Sequence, residues 1–200
     1  MDERPLQFLL QKIHQCQLCQ QALPLGANPV IRARSQARIL IIGQAPGLKV
    51  HHSDLPWNDA SGKRLRQWLQ LSPREFYDAS KIAIMPMGLC YPGRGKSGDK
   101  PPRPECAPLW HPQVLKLLPE LRLTLLVGQY AQRYYLQTNN LTETVLNWRH
   151  YLPQLLPLPH PSPRNQLWFK RNPWFDEELV PWLQPHIQKI IGEPMEPSAL

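Results

Sequence analysis

Apolar residues recur along this chain in two rhythms. Leu6, Leu9, Leu10 and Ile13 fall at helical spacing, which predicts an amphipathic helix over residues 4–15. Ile39-Leu40-Ile41-Ile42 is instead an unbroken apolar run, the pattern of a strand covered on both faces of a parallel sheet. A strand is therefore expected over residues 37–43. Further buried strands are expected over 82–87 (Ile-Ala-Ile-Met-Pro-Met), over 121–127 up to Gly128 and, more weakly, over 155–158. Helices are expected between them. Ser61 is placed to cap one in which Leu65, Trp68 and Leu69 share a face. Others are expected over 107–118, with Leu109, Val114, Leu117 and Leu118, over 129–137, and over 174–191. This alternation predicts an α/β fold: a three-layer α/β/α sandwich around a central, mostly parallel four-stranded sheet. A single domain is expected over residues 1–192, with a flexible tail over 193–200.

Open α/β sheets bind ligands at the carboxyl ends of their strands. Three loops leave those ends, over residues 43–62, 88–106 and 159–165, and they are expected to converge on one mouth. They carry Gln44, Trp57, Asn58, Asp59, His160, Ser162 and Asn165, with the basic residues Lys63, Arg64, Arg164, Lys170 and Arg171 close by in the chain.

Composition sharpens this in three ways. The 200 residues are 42% hydrophobic, enough for one real core, and the 24 prolines sit mostly in short rigid connections. The net charge of +8 suits a polyanionic partner such as nucleic acid. No apolar run approaches the ~20 residues needed to span a membrane, and the polar start Met1-Asp2-Glu3-Arg4-Pro5 does not read as a signal peptide. A cytoplasmic location is expected, where thiols stay reduced. The four cysteines are Cys16, Cys19, Cys90 and Cys106. A Cys-x-x-Cys pair completed by two distant cysteines suits one metal centre, either a structural zinc or an iron–sulfur cluster. The adjacent His51 and His52 read as part of a solvated loop rather than as metal ligands.

In Gly43-Gln44-Ala45-Pro46-Gly47 after the first strand, in His160-Pro161-Ser162-Pro163 after the last, and in its cysteine spacing, the chain resembles the uracil-DNA glycosylase superfamily, in particular its four-cysteine iron–sulfur branches. The resemblance runs from about Cys16 to the final helix. It implies a 4Fe–4S cluster on Cys16, Cys19, Cys90 and Cys106, read as structural because base excision needs no redox centre. It implies that Trp57, in Pro56-Trp57, stacks on a flipped base, and that Asp59, in Asp59-Ala60-Ser61-Gly62, acts as the catalytic carboxylate. His160 would then hydrogen-bond the departing base. Gly43, Gln44, Ala45, Asn58 and Asn165 are expected to line the base site. Ser162, Pro163, Arg164, Lys170 and Arg171 are expected to face DNA.

The chain also departs from the family. Gln44 stands where one branch has Glu, and an amide cannot act as a general base. Pro86 stands where several branches have an Asn that reads the uracil edge. The expected function is a monomeric glycosylase acting on DNA that holds uracil or another deaminated base. The alternatives are a DNA-binding repair protein with little excision activity and a zinc-stapled hydrolase of a nucleotide-like molecule.

Overall fold

The structure, a computed structural model, describes residues 2–192; the tail expected over 193–200 lies outside the described residues. The elements in chain order are α1 (Arg4–His14), β1 (Ile39–Ile42), α2 (Leu48–Ser53), α3 (Ala60–Leu69), α4 (Pro73–Phe76), β2 (Ile82–Ile84) and α5 (Cys106–Leu115). There follow β3 (Leu123–Val127), α6 (Gln129–Leu136), α7 (Leu141–Leu146), β4 (Leu155–Leu158), α8 (Gln166–Arg171) and α9 (Val180–Gly192). The strands form one four-stranded sheet in the order β2-β1-β3-β4, with every pairing parallel.

The unbroken apolar run in β1 serves two cores. Ile39 and Ile41 pack with Leu65, Trp68 and Leu69 of α3 and with Leu183 and Ile187 of α9. Leu40 and Ile42 face the other way, onto Leu6, Leu9 and Ile13 of α1, Val114 of α5 and Ala131 of α6. Alternate side chains of a strand point to opposite faces, so a strand buried twice must be apolar throughout. The result is the expected three-layer sandwich. Among the described residues, no helix is long and apolar enough to cross a membrane.

Several expectations need correction. The strand expected over 82–87 ends at Ile84, although Met85 and Met87 still donate to Ile41 and Gly43 of the β1 segment at 3.0 and 2.8 Å. Pro86 between them has no N–H to give and breaks the regular ladder. The cap of α3 is Asp59, not Ser61, which is already inside the helix and buried. Leu109, expected on the buried face of its helix, is 40% exposed, and α5 stops at Leu115. The segment 174–191 is not one α-helix: Phe175–Leu179 forms a π-type turn before α9 begins.

Behind the end of β2 lies a buried polar pair. His111 on α5, 1% exposed, has Nε2 at 3.1 Å from the Pro86 carbonyl and Nδ1 at 2.7 Å from the Tyr135 hydroxyl. A carbonyl only accepts, so Nε2 carries the proton and Nδ1 accepts from Tyr135. Burial pulls the His111 pKa down to about 4 from its ordinary 6.5. The unfolded chain therefore takes up this proton first as pH falls. Stability contributed by neutral His111 is complete above pH 6.5 and is lost progressively towards pH 4, by roughly 3 kcal/mol in all. Denaturant unfolding of the parent and of His111→Gln across this range measures it: the variant is expected to lack this part of the acid-induced loss.

Candidate active site

The ends of β1, β3 and β4 lie side by side, and the chain leaves each through a residue that shapes one mouth. Gly43 follows β1. A Cβ on Gly43 would stand 2.7 Å from the Trp57 ring, so the absence of a side chain is what lets the indole lie over the end of the strand. Gly128 follows β3 with φ +87°, and a Cβ there would stand 3.4 Å from His160. His160 follows β4, and its ring centroid lies 5.6 Å from that of Trp57, the two planes inclined by 34°. An aromatic plane and an imidazole thus share one side of the mouth.

Trp57 is held there at some strain. Its φ of +58° is uncommon for a bulky side chain. Arg66 on α3 donates to the Trp57 carbonyl at 3.2 Å and to the Tyr77 hydroxyl at 3.3 Å, and that hydroxyl donates to the Pro56 carbonyl at 3.1 Å. Gly62 completes the clamp, because a Cβ on it would fall 1.7 Å from the Trp57 carbonyl oxygen. Arg66 and Tyr77 escaped the sequence reading: their roles rest on contacts with backbone carbonyls, and nothing in their local context marks them.

Asp59 caps α3, with Oδ1 accepting from Gly62 N at 2.8 Å. Aspartate is strongly favoured at such a position. The cap uses one carboxylate oxygen, and the residue as a whole is exposed. The charge of Asp59 is felt at His160, where it favours the imidazolium, but burial outweighs it and holds the His160 pKa below its usual value. The neutral ring also has a defined tautomer. The backbone N–H of Ser162 donates to Nδ1 at 3.2 Å, so Nδ1 is an acceptor and the proton sits on Nε2. His160 is therefore a neutral donor.

The remaining expected base-site and DNA-facing residues divide by what already binds them. Gln44 donates from its amide to the Lys100 carbonyl at 3.0 Å, and its own carbonyl accepts from Gly88 N at 3.0 Å. Asn165 donates to the His160 carbonyl at 2.8 Å, fastening the turn after β4. Asn58 reaches only Ser53, at 3.4 Å. Ala45 lies between Gln44 and the buried Pro46. Ser162 accepts from Arg164 N at 3.3 Å across the short turn Pro163–Asn165, and the Arg164 guanidinium donates to the Ser97 carbonyl at 3.1 Å. Lys170 and Arg171 end α8 in exposed positions. The loop over 88–106, through Lys100 and Ser97, thus touches both other loops, and the three form one mouth.

That loop brings in Asp99, which the sequence reading did not single out. Residues 93–100 form a tight hairpin in which the backbones of Arg94 and Asp99 pair as an isolated antiparallel bridge and Lys100 N donates to the Gly93 carbonyl at 2.8 Å. Burial raises the Asp99 pKa; Arg164 and Arg94 oppose the rise, and Asp59 adds to it. Glycines at 93, 95 and 98 marked a turn here, but not which way its carboxylate would face.

Cys16 and Cys19 follow α1, Cys90 follows β2 and Cys106 opens α5, so that the last two bracket the 88–106 loop. All four are free thiols and line one cavity together with Leu23, Leu89, Trp110 and Arg103. Burial raises the pKa values of Cys19 and Cys106, and pushes Cys90 up to about 11. Among the described residues, no three His, Cys, Asp or Glu side chains are arranged to hold a single metal ion. The donor set, four sulfurs in an apolar cavity, is of the kind that iron–sulfur clusters and zinc take.

A glycine-edged mouth at the ends of parallel strands, an indole facing a neutral histidine, and a carboxylate at the adjoining helix start are features of one region, residues 43–165. The family model of the uracil DNA glycosylase superfamily matches residues 31–184. The match contains this whole region with Cys90 and Cys106, and begins after Cys16 and Cys19. The mouth lies within the matched span, and the chain belongs to the uracil DNA glycosylase superfamily.

Proposed function

We propose that the protein is a DNA glycosylase that flips a deaminated base, uracil first among them, out of DNA and hydrolyses its N-glycosidic bond. The observation that carries this reading is His160: neutral, with its proton fixed on Nε2, beside the Trp57 ring and within the field of Asp59. Breaking the glycosidic bond puts negative charge on the base and positive charge on the sugar. A donor on one side and a carboxylate on the other oppose those two charges as they develop. Trp57 supplies a face on which an extruded base stacks. The second oxygen of Asp59 is left to orient water and to stabilise the cationic sugar. Gln44 takes no part as a base, since an amide cannot accept a proton at working pH; it holds the Lys100 carbonyl instead. Arg164, Lys170 and Arg171, together with the +8 charge, suit contact with phosphates.

The test is incubation with oligonucleotides that each hold one uracil, hypoxanthine or xanthine, or one mismatch, followed by alkaline cleavage of abasic sites. Strand scission at uracil or another deaminated base is expected. DNA binding with no scission at any of them would replace this reading by that of a DNA-binding protein of the same fold.

The cysteine cavity is proposed to hold a 4Fe–4S cluster on Cys16, Cys19, Cys90 and Cys106. Four thiols lining one apolar cavity, at the spacing in which the chain resembles the iron–sulfur branches, support this reading. The cluster's contribution is structural, tying the end of α1 to the loop between β2 and α5. Cys90→Ser is expected to lower iron and sulfide content and the melting temperature together, because metal binding energy is partly folding energy. Metal analysis beside the visible spectrum checks this: a colourless protein with one zinc per chain would move the assignment to zinc.

A further inference from the structure

The mouth holds a carboxylate that the mechanism above does not use. Asp99 stands on a hairpin fixed from two sides. Gln44 from the β1 loop donates to the Lys100 carbonyl at 3.0 Å, and Arg164 from the β4 loop donates to the Ser97 carbonyl at 3.1 Å. Arg164 fills the space beside Gly98 so closely that a Cβ there would lie 2.5 Å from its Nη1. Between these anchors the Asp99 side chain turns to the β1 loop, with Oδ2 3.4 Å from where a Cβ of Gly47 would stand.

Pro86 and the side-chain amides of the mouth offer only uncharged contacts to a base edge. Pro86 has no side-chain donor or acceptor, and its carbonyl already accepts from His111. The Gln44 and Asn165 amides each give one N–H to a backbone carbonyl, of Lys100 and His160, and the Asn58 amide reaches Ser53 at 3.4 Å; what these amides have left to offer a base is uncharged. The carboxylate of Asp99, by contrast, meets no hydrogen-bond donor among the described residues. Asp99 keeps part of its surface in solvent; partial burial raises its pKa, and the Arg164 and Arg94 charges oppose the rise without a hydrogen bond to it.

We propose that Asp99 is a specificity-determining residue: its carboxylate accepts the ring N–H that a base gains on deamination. Cytosine and adenine carry a bare ring nitrogen on their pairing edge, and uracil and hypoxanthine carry N–H at the same place. An ionised carboxylate is an acceptor only. It gains a charge-assisted hydrogen bond from the N–H and is repelled by the lone pair of the undeaminated base. Sites built around such a bond reject analogues that cannot make it. One side chain would thereby distinguish deaminated pyrimidines and purines from their parents. The inference rests on the glycosylase reading above.

The test pairs a change in the residue with a change in the base. Single-turnover excision is measured for the parent, Asp99→Ala and Asp99→Asn on DNA holding uracil or N3-methyluracil, which lacks the N–H. The parent is expected to favour uracil by about 10-fold or more, the scale of one hydrogen bond to a charged group. Asp99→Ala should lose this preference, chiefly by slowing on uracil, with unchanged affinity for undamaged DNA. Asp99→Asn, whose amide oxygen still accepts, should keep part of it. A role only in holding the hairpin would slow both substrates alike. Equal slowing, or an Asp99→Ala variant with the parent's preference, overturns the inference and leaves the glycosylase reading standing. A parent protein that excises no base at all overturns both.

Discussion

Replacing His160 by alanine is expected to slow base excision in a single turnover by about 10²-fold or more, the usual scale for losing a donor to a developing anion, while DNA affinity stays close to that of the parent. The ring makes one internal contact through its nitrogens, with Ser162 N, and that contact determines which nitrogen can act. Only Nε2–H is available to a departing base. The pH–rate profile adds a second reading. Burial lowers the His160 pKa from the usual 6.5, so the neutral ring persists below that pH, and the acid limb assigned to it should lie below 6.5. Protonation on Nδ1 would also displace the Ser162 N–H and loosen the turn that carries Arg164. An acid limb at or above the ordinary histidine value, or an alanine variant as fast as the parent, would remove His160 from the chemistry.

Asp59→Asn is expected to separate the two tasks of one carboxylate. Asn is as good an N-cap as Asp, and its Oδ1 can still accept from Gly62 N, as Asp59 does at 2.8 Å. Stability should therefore stay near the parent's. Excision should nevertheless fall by about 10²-fold, because the neutral amide neither stabilises a cationic sugar nor polarises water as a carboxylate does. Asp59→Ala removes cap and charge together and should in addition lose about 1 kcal/mol of stability. Denaturant unfolding alongside single-turnover rates distinguishes the three proteins. An Asn variant with the parent's rate would leave Asp59 only a cap and move the chemistry elsewhere in the mouth.

The scaffold around these residues is less tolerant than their exposure suggests. Trp57 keeps its left-handed backbone only because Arg66 and Tyr77 hold the carbonyls of Pro56 and Trp57, and because Gly43 and Gly62 give it room. The stacking face depends on two glycines and a clamp as much as on the indole itself.

Much of the fold was legible in the residues. Ile39–Ile42 could only be a strand covered on both faces, since a helix or a half-exposed strand would have shown polar positions at its own period. Leu6, Leu9 and Ile13 marked one face of α1, and Leu65, Trp68 and Leu69 one face of α3, because helical spacing is a local property. The placing of Trp57, Asp59 and His160 on loops at strand ends followed from the same local patterns together with the topology that alternating elements impose. What only the tertiary structure decided are properties of pairs far apart in sequence. Ser61 and Asp59 are both acceptable caps locally, and the choice between them came from how closely α3 must start beside the Trp57 carbonyl. The His160 tautomer came from the turn that aims Ser162 N at Nδ1. Gly128 shaped the space beside His160 from another strand, and Gly98 made room for Arg164 across the mouth. The hairpin that carries Asp99 is tied to both other loops only through Gln44 and Arg164, contacts between segments far apart in sequence. Periodicity and capping are written within a few residues, whereas burial, tautomer and hydrogen-bond partner are set by whatever the fold brings alongside.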